Sequence, residues 1–213
     1  MNVLAVNGSP RRKRNTASLL EKMLEGAAGA GAETELVHLY GLKYTGCISC
    51  FQCKLAGGKS YGRCAVRDGL TPLLEAAHAA DVLVLGTPVY FNAETGMMRS
   101  FMERLWFQYH RYTHAKPPLS PRKKACALVY TMNIREEDTA AYGTDRCFTT
   151  ARTIMERFFG PCELFLGTDT KQMDDYSKYE MDYFDPAEKD RRHEEVFPLE
   201  LRRASALGAS LVS

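Results

Sequence analysis

Four consecutive apolar residues near the start of the chain, Val3-Leu4-Ala5-Val6, stop abruptly at Asn7-Gly8-Ser9-Pro10. A run that is apolar on both faces and ends in turn residues reads as a fully buried strand of a parallel sheet, because a half-exposed strand would alternate. The period then changes. Leu19, Leu20, Met23, Leu24 and Ala27 recur at helical spacing, with Asn15 or Thr16 placed to cap that helix. The alternation continues with a strand over Glu35–Leu39, a helix over Leu70–Ala80 and a strand at Val82–Gly86. A helix over Met97–Phe107, a strand over Lys124–Tyr130 and a helix over Phe148–Phe159 come next. A strand over Glu163–Leu166 and a closing helix around Glu188–Leu211 end the pattern. Short strands alternating with helices predict βαβ units, hence an α/β three-layer sandwich with a five-stranded parallel sheet and helices on both faces.

A chain of 213 residues suits a single core, so one domain is expected over 1–213, with irregular segments at about 40–68 and a C-terminal arm and helix at about 168–213. Loops this long inside a compact α/β domain are usually functional. Hydrophobic residues at 45% and charged residues at 25% exclude a disordered chain. The apolar runs are only a few residues long, far short of a membrane span. Charge follows the first apolar run rather than preceding it, so no signal peptide is expected. The net charge of +2, from 28 basic and 26 acidic residues, argues against a general nucleic-acid binder. Seven cysteines, an odd number, point to free thiols, metal or redox chemistry in a reducing compartment rather than a disulfide framework.

Between the first strand and the first helix stands Gly8-Ser9-Pro10-Arg11-Arg12-Lys13-Arg14-Asn15-Thr16. Four cations in a row at a helix N-terminus oppose the helix dipole, and a bound phosphate resolves that conflict. Backbone N–H groups, the Ser9 and Thr16 hydroxyls and Arg11 would converge on it. The loop has neither the Gly-Lys-Ser/Thr of a P-loop nor the glycine spacing of dinucleotide folds. The plain alternative is a solvated basic patch.

Gly8-Ser9-Pro10-Arg11 with Asn15-Thr16, followed by Gly86-Thr87-Pro88-Val89-Tyr90-Phe91, resembles the NADPH-dependent FMN reductase family of flavodoxin-like proteins, most closely its iron–sulfur flavoprotein branch. Similarity continues through Met98-Arg99-Ser100-Phe101-Met102-Glu103-Arg104 and Asp175-Tyr176-Ser177-Lys178-Tyr179. The resemblance implies a flavodoxin-like fold and FMN, its phosphate on Ser9, Arg11, Asn15 and Thr16. It also implies that the isoalloxazine rests against Thr87, Pro88, Val89, Tyr90, Phe91 and Asn92 and against Thr131, Met132 and Asn133. Tyr90 and Phe91 are alternatively core aromatics, with flavin contact expected for one of the two.

Cys47-x-x-Cys50-x-x-Cys53 followed by Cys64 can wrap one face of a 4Fe–4S cubane with a fourth ligand from further along. In the iron–sulfur flavoproteins the fourth cysteine follows sooner, whereas here ten residues intervene, Gly57-Gly58 among them. The alternative is a loop of unligated thiols in a relative that has only FMN. Zinc suits the spacing less well. Cys126, Cys147 and Cys162 read as packing residues, Trp106 as buried, and His110/His114 as a surface segment rather than a metal pair.

These readings combine into an expected cytoplasmic, FMN-dependent oxidoreductase, with electrons passing from NAD(P)H through flavin to a quinone, free flavin or oxygen species. No acid–base residue is assigned. The alternatives are an iron–sulfur flavoprotein exchanging single electrons with ferredoxin, a flavin- or thiol-based redox sensor, and a zinc-stapled nucleic-acid module. Partners are expected to be small-molecule donors and acceptors and a second or further copies in a homodimer or homotetramer, with no nucleic acid and no membrane.

Overall fold

The structure is a computed structural model that describes residues 1–120 and 122–213. Strands β1 (Asn2–Asn7), β2 (Glu33–His38), β3 (Val82–Tyr90), β5 (Ala125–Thr131) and β6 (Cys162–Gly167) pair in parallel in the order β2-β1-β3-β5-β6. This is the flavodoxin-like order. A two-residue strand β4 (Ala93–Glu94) folds back antiparallel on the end of β3, so the sheet has six strands rather than the expected five.

The helices divide between the two faces because the strand side chains alternate. Val3, Ala5, Val82, Val84, Ala127 and Val129 meet α1 (Asn15–Gly29) and α6 (Phe197–Ser210). Leu4, Val6, Leu83, Leu85, Leu128 and Tyr130 meet α2 (Thr71–Ala79), α3 (Gly96–Tyr109) and α4 (Asp145–Phe158). The central strands β1, β3 and β5 are thus apolar on both sides, as their continuous runs predict, whereas the edge strands β2 and β6 expose Glu33, Thr34, Glu35 and Glu163.

Three local expectations need correction. The third strand does not stop at Gly86 but runs on through Thr87 and Pro88 to Tyr90. Pro88 stands opposite Thr131 of β5 and is tolerated because β1 pairs with β3 only as far as Gly86, which leaves β3 a ladder partner on one side alone. The closing helix is two helices, α5 (Pro186–Glu195) and α6, separated at Val196. Pro198 sits in the first turn of α6, where its missing N–H costs nothing, whereas within a continuous helix its ring would clash with the preceding turn. Finally, neither Asn15 nor Thr16 caps α1. The cap position is Arg14, which makes no side-chain cap bond, and the first turn holds no acidic residue.

Helices α1 and α6 cross in backbone contact. A Cβ placed on Gly26 would overlap the Ser205 carbonyl, and one on Gly208 would overlap the Met23 carbonyl. Neither neighbour is a side chain that can rotate away, so the helices would have to separate. Gly208→Ala is expected to destabilise the fold by about 1–3 kcal/mol, read as a lower urea midpoint at unchanged slope.

Candidate functional site

The C-terminal ends of β1, β3 and β5 open onto a polar hollow. Parallel strands gather their exit loops on one edge, and ligands of such sheets bind where the winding direction changes. The first loop contributes Ser9, Arg11, Asn15 and Thr16, the end of β3 contributes Pro88, Val89 and Tyr90, and β5 with its exit contributes Thr131 and Met132. Arg14, Thr170 and Gln172, which the sequence reading did not assign, complete the wall.

Side chains shape the first loop. Asn7 Oδ1 accepts the Ser9 N–H at 2.8 Å, and Ser9 Oγ accepts the Arg11 N–H at 3.1 Å, closing the chain into a tight turn. Thr16 Oγ1 and Thr131 Oγ1 lie 2.7 Å apart and tie α1 to β5. The uncapped start of α1 leaves backbone N–H groups without side-chain acceptors beside several cations, an arrangement that suits an anion.

The segment after β6 lies across this loop. Arg11 donates to the Gln172 carbonyl, Asn15 Nδ2 donates to the Lys171 carbonyl at 2.9 Å, and Arg14 pairs with the Asp174 carboxylate. The Arg14 guanidinium holds the Asp174 carboxyl below its ordinary value, although both groups are exposed enough for solvent to weaken the pair. Thr170 in turn donates from its backbone N–H and its hydroxyl to the Met132 carbonyl, at 2.9 and 3.1 Å.

Four expected contacts do not reach the hollow. Thr87 is buried inside β3, where its hydroxyl accepts the Thr95 N–H. Phe91 and Asn92 form the two-residue turn between β3 and β4, both with left-handed backbone (φ 51° and 61°). Such a turn suits a hairpin, and it points the Phe91 ring fully into solvent while Asn92 Nδ2 donates to the Tyr142 carbonyl at 2.7 Å. Asn133 gives its carbonyl to Lys189 at 2.9 Å.

A second, narrow hollow lies between the cysteine segment and α3. Cys47, Cys50, Cys53 and Cys64 all line it. Ser49 and Phe51, on either side of Cys50, take left-handed backbone (φ 52° and 55°). A bulky residue held there costs about 1–2 kcal/mol, and such strain persists where surrounding structure over-determines it. The ten residues after Cys53 form a compact return. The Gly58 N–H bonds the Leu55 carbonyl at 2.9 Å, and the Gly62 N–H bonds back to the Cys53 carbonyl at 3.0 Å. Gly62 takes φ 74°, which glycine adopts without penalty, and delivers the chain to Cys64.

Helix α3 joins the two hollows. Its cap, Thr95, accepts the Met98 N–H at 3.2 Å and donates to the Gly8 carbonyl at 2.7 Å, which pins the helix to the first loop. Arg104 and Gln108 stand on the far half of the helix, against the cysteines. Thr95 and Arg104 are nine residues apart in sequence, roughly 13 Å along the helix axis.

The remaining thiols are packing groups. Burial pushes Cys147 and Cys162 up to about 12 each, and Cys126 is raised by burial as well. His110 ends α3 and His114 lies beyond it, so they do not share a helical face. Among the described residues, no three His, Cys, Asp or Glu side chains gather closely enough to hold a single metal ion. Also among them, no helix is long and apolar enough to cross a membrane.

A flavodoxin-like sheet with a polar, cation-rich hollow at its switch point defines the class of protein. A family model described as NADPH-dependent FMN reductase matches residues 1–154, and the chain belongs to that family. It is 38% identical over 104 residues to an iron-sulfur flavoprotein of Archaeoglobus fulgidus, covering 49% of this chain and 48% of that one. It is 34% identical over 104 residues to an iron-sulfur flavoprotein of Methanocaldococcus jannaschii, covering 49% and 51%. The chain spans about half the length of these curated relatives. An NAD(P)H:quinone oxidoreductase from Methanothermobacter marburgensis superposes with a TM-score of 0.72 at 17% identity, over 99% of this chain and 98% of that one. An FMN-dependent NADH-azoreductase from Bacillus anthracis, solved with FMN, gives 0.68 at 10% identity over 100% of both chains. These two likenesses concern the fold.

The exit of the cysteine segment is sensitive to acid. Arg63, next to Cys64, packs its guanidinium on the imidazole of His78, whose Nδ1 lies 3.1 Å from the Tyr109 hydroxyl. Burial first, and then the Arg63 charge, push His78 down from 6.5 to about 4. As pH falls, the unfolded chain therefore takes up its proton before the folded one, and stability declines between about pH 6.5 and 4. His78→Gln is expected to flatten this part of the pH–stability curve, as measured by urea unfolding at a series of pH values.

Proposed function

We propose that the chain is an FMN-dependent oxidoreductase that also carries a 4Fe–4S cluster on Cys47, Cys50, Cys53 and Cys64. The observation that carries the cluster is the return of Cys64, across ten residues, to the hollow lined by the other three cysteines. The donor chemistry fits as well. Four thiols surround a hollow into which the buried Gln108 brings an amide Nε2 with no partner among the described residues.

In the first hollow, Ser9, Arg11, Asn15 and Thr16 would hold the FMN phosphate, with Arg14 as a further cation. Pro88 and Val89 present backbone with one fewer N–H donor than usual, and Tyr90 offers a flat face. Thr131 and Met132 close the opposite side. Flavin, when bound, supplies hydride acceptance from NAD(P)H and onward electron transfer, and the protein supplies position and electrostatics. The buried faces of β3 and β5 exclude water from the floor of the hollow. A quinone, free flavin or oxygen species is the proposed acceptor for electron pairs. A one-electron carrier such as ferredoxin is the proposed partner through the cluster. The proposed assembly is a homodimer or homotetramer working in the cytoplasm.

Anaerobic purification followed by iron and sulfide assay tests the cluster. Flavin with about four iron and four acid-labile sulfide per chain is the expected result. A clean flavin spectrum without iron would remove the cluster and leave an FMN reductase. Steady-state NAD(P)H oxidation separates an enzyme from a flavin- or thiol-based sensor, which would turn over slowly or not at all. Arg11→Ala and Thr16→Ala should each weaken FMN binding by about 1–3 kcal/mol through lost phosphate contacts. Flavin fluorescence titration of the apoprotein measures this, and unchanged affinity in both variants would mean that the phosphate binds elsewhere.

A further inference from the structure

Arg104 is the largest fully buried side chain of the protein and a full positive charge. Burying a guanidinium is costly unless all its donors are occupied. Nη1 donates to Asp68 Oδ2 at 2.6 Å and to the Thr45 carbonyl at 3.3 Å, and Nη2 donates to the Val66 carbonyl at 3.0 Å. Those three bonds stitch the cysteine segment to α3. The fourth is of another kind: Nε donates to Cys64 Sγ at 3.3 Å. A weak thiol acceptor is a poor match for a buried cation, whereas a thiolate bound to metal is a good one.

Gln108 stands one turn further along the same face of α3. Its Oε1 accepts the Cys64 N–H at 3.0 Å, which fixes the orientation of the amide. Its Nε2 is then left buried, beside the hollow, without a partner among the described residues. Leaving an amide donor unpaired in the interior costs about 1–3 kcal/mol, so such a donor calls for an acceptor. Lys54 donates to the carbonyls of Phe107 and His110 at the end of α3 and lies close enough to Cys53 for its charge to act on that thiol, while Arg63 packs on His78.

We infer that Arg104 and Gln108 are positioning residues that donate hydrogen bonds to the sulfur side of the cluster, so that α3 sets the cluster's reduction potential. The inference rests on the cluster proposed above. A cubane held by four thiolates carries excess negative charge, and hydrogen bonds to its sulfurs favour the reduced form and raise the potential. Because the same helix is pinned through Thr95 to the loop around Gly8, the donors that tune the cluster are built on the element that also abuts the flavin site.

The test uses the anaerobically purified full chain and two variants, Arg104→Lys, which keeps the charge and loses the forked donor, and Gln108→Met, which keeps the volume and loses the amide. Potentiometric titration followed by electron paramagnetic resonance should show the cluster at a lower potential in both variants, with the flavin potential unmoved. Wild-type chain carrying arginine labelled with ¹⁵N in the guanidinium should also show ¹⁵N coupling to the reduced cluster, absent in Arg104→Lys. Should a variant lose its iron, this coupling in the wild-type protein decides. Wild-type potentials in both variants, or a wild-type cluster without ¹⁵N coupling, would make Arg104 and Gln108 scaffold alone and overturn the inference while the cluster reading stands. Wild-type protein without iron and sulfide would overturn the cluster reading, and this inference with it.

Discussion

Parallel pairing is the constraint from which the rest descends. Two parallel neighbours cannot be joined by a tight turn, so every connection crosses the sheet, and all strands exit along one edge. Five strands in the order β2-β1-β3-β5-β6 bring the segments after β1, β3, β5 and β6 together there. Residues as far apart as Ser9 and Gln172 thereby line one hollow. Helix α3 then carries that edge outward, from the Thr95–Gly8 bond at its start to Arg104 and Gln108 on its last turns. The two candidate centres are therefore not independent grafts, because one rigid helix sets their separation.

The first loop carries an electrostatic conflict, and the chain relieves it only in part. Arg11, Arg12, Lys13 and Arg14 precede a helix that has neither an acidic first turn nor a side-chain cap. The segment after β6 answers with the carbonyls of Lys171 and Gln172 and with the carboxylate of Asp174. Carbonyls neutralise nothing, and a single exposed carboxylate offsets one of four cations. What is left is positive charge beside free N–H groups, the environment in which a phosphate is most favoured.

The sequence shows most of this where the signal is local. The runs Val3–Val6 and Val82–Leu85 are apolar on both faces because helices cover both faces, and the central strands are legible for that reason. Thr87 and Pro88 look like breakers, yet β3 passes through them, paired with Tyr130 and Thr131 of β5 and already beyond its last β1 partner at Gly86. The split between α5 and α6 has a visible cause in Pro198, which a periodicity count alone passes over. The contacts of Lys171, Gln172 and Asp174 with the first loop join residues about 160 apart, and no local pattern reports such pairing. Gln108 lies just past the helix expected over Met97–Phe107, and nothing in its immediate neighbours marks it. Its place four residues after Arg104, on a helix rich in Phe, Trp and Met, is the signal that could have found it.

The cysteine segment shows how order arises without periodic structure. It has almost no regular elements and only part of its side-chain mass in the core, so burial alone cannot fix its shape. Its form comes instead from directional bonds to groups that are already fixed. Arg104 takes Thr45, Cys64, Val66 and Asp68 at once, Gln108 takes the Cys64 N–H, and Gly62 closes back on Cys53. Phe51, held in left-handed backbone, packs its ring edge-on against Phe107 of α3 and accepts the Lys54 N–H at its carbonyl at 2.8 Å. A loop held this way keeps four thiols around one hollow at an expense in strain and in a buried charge that a merely covering loop would have no reason to carry.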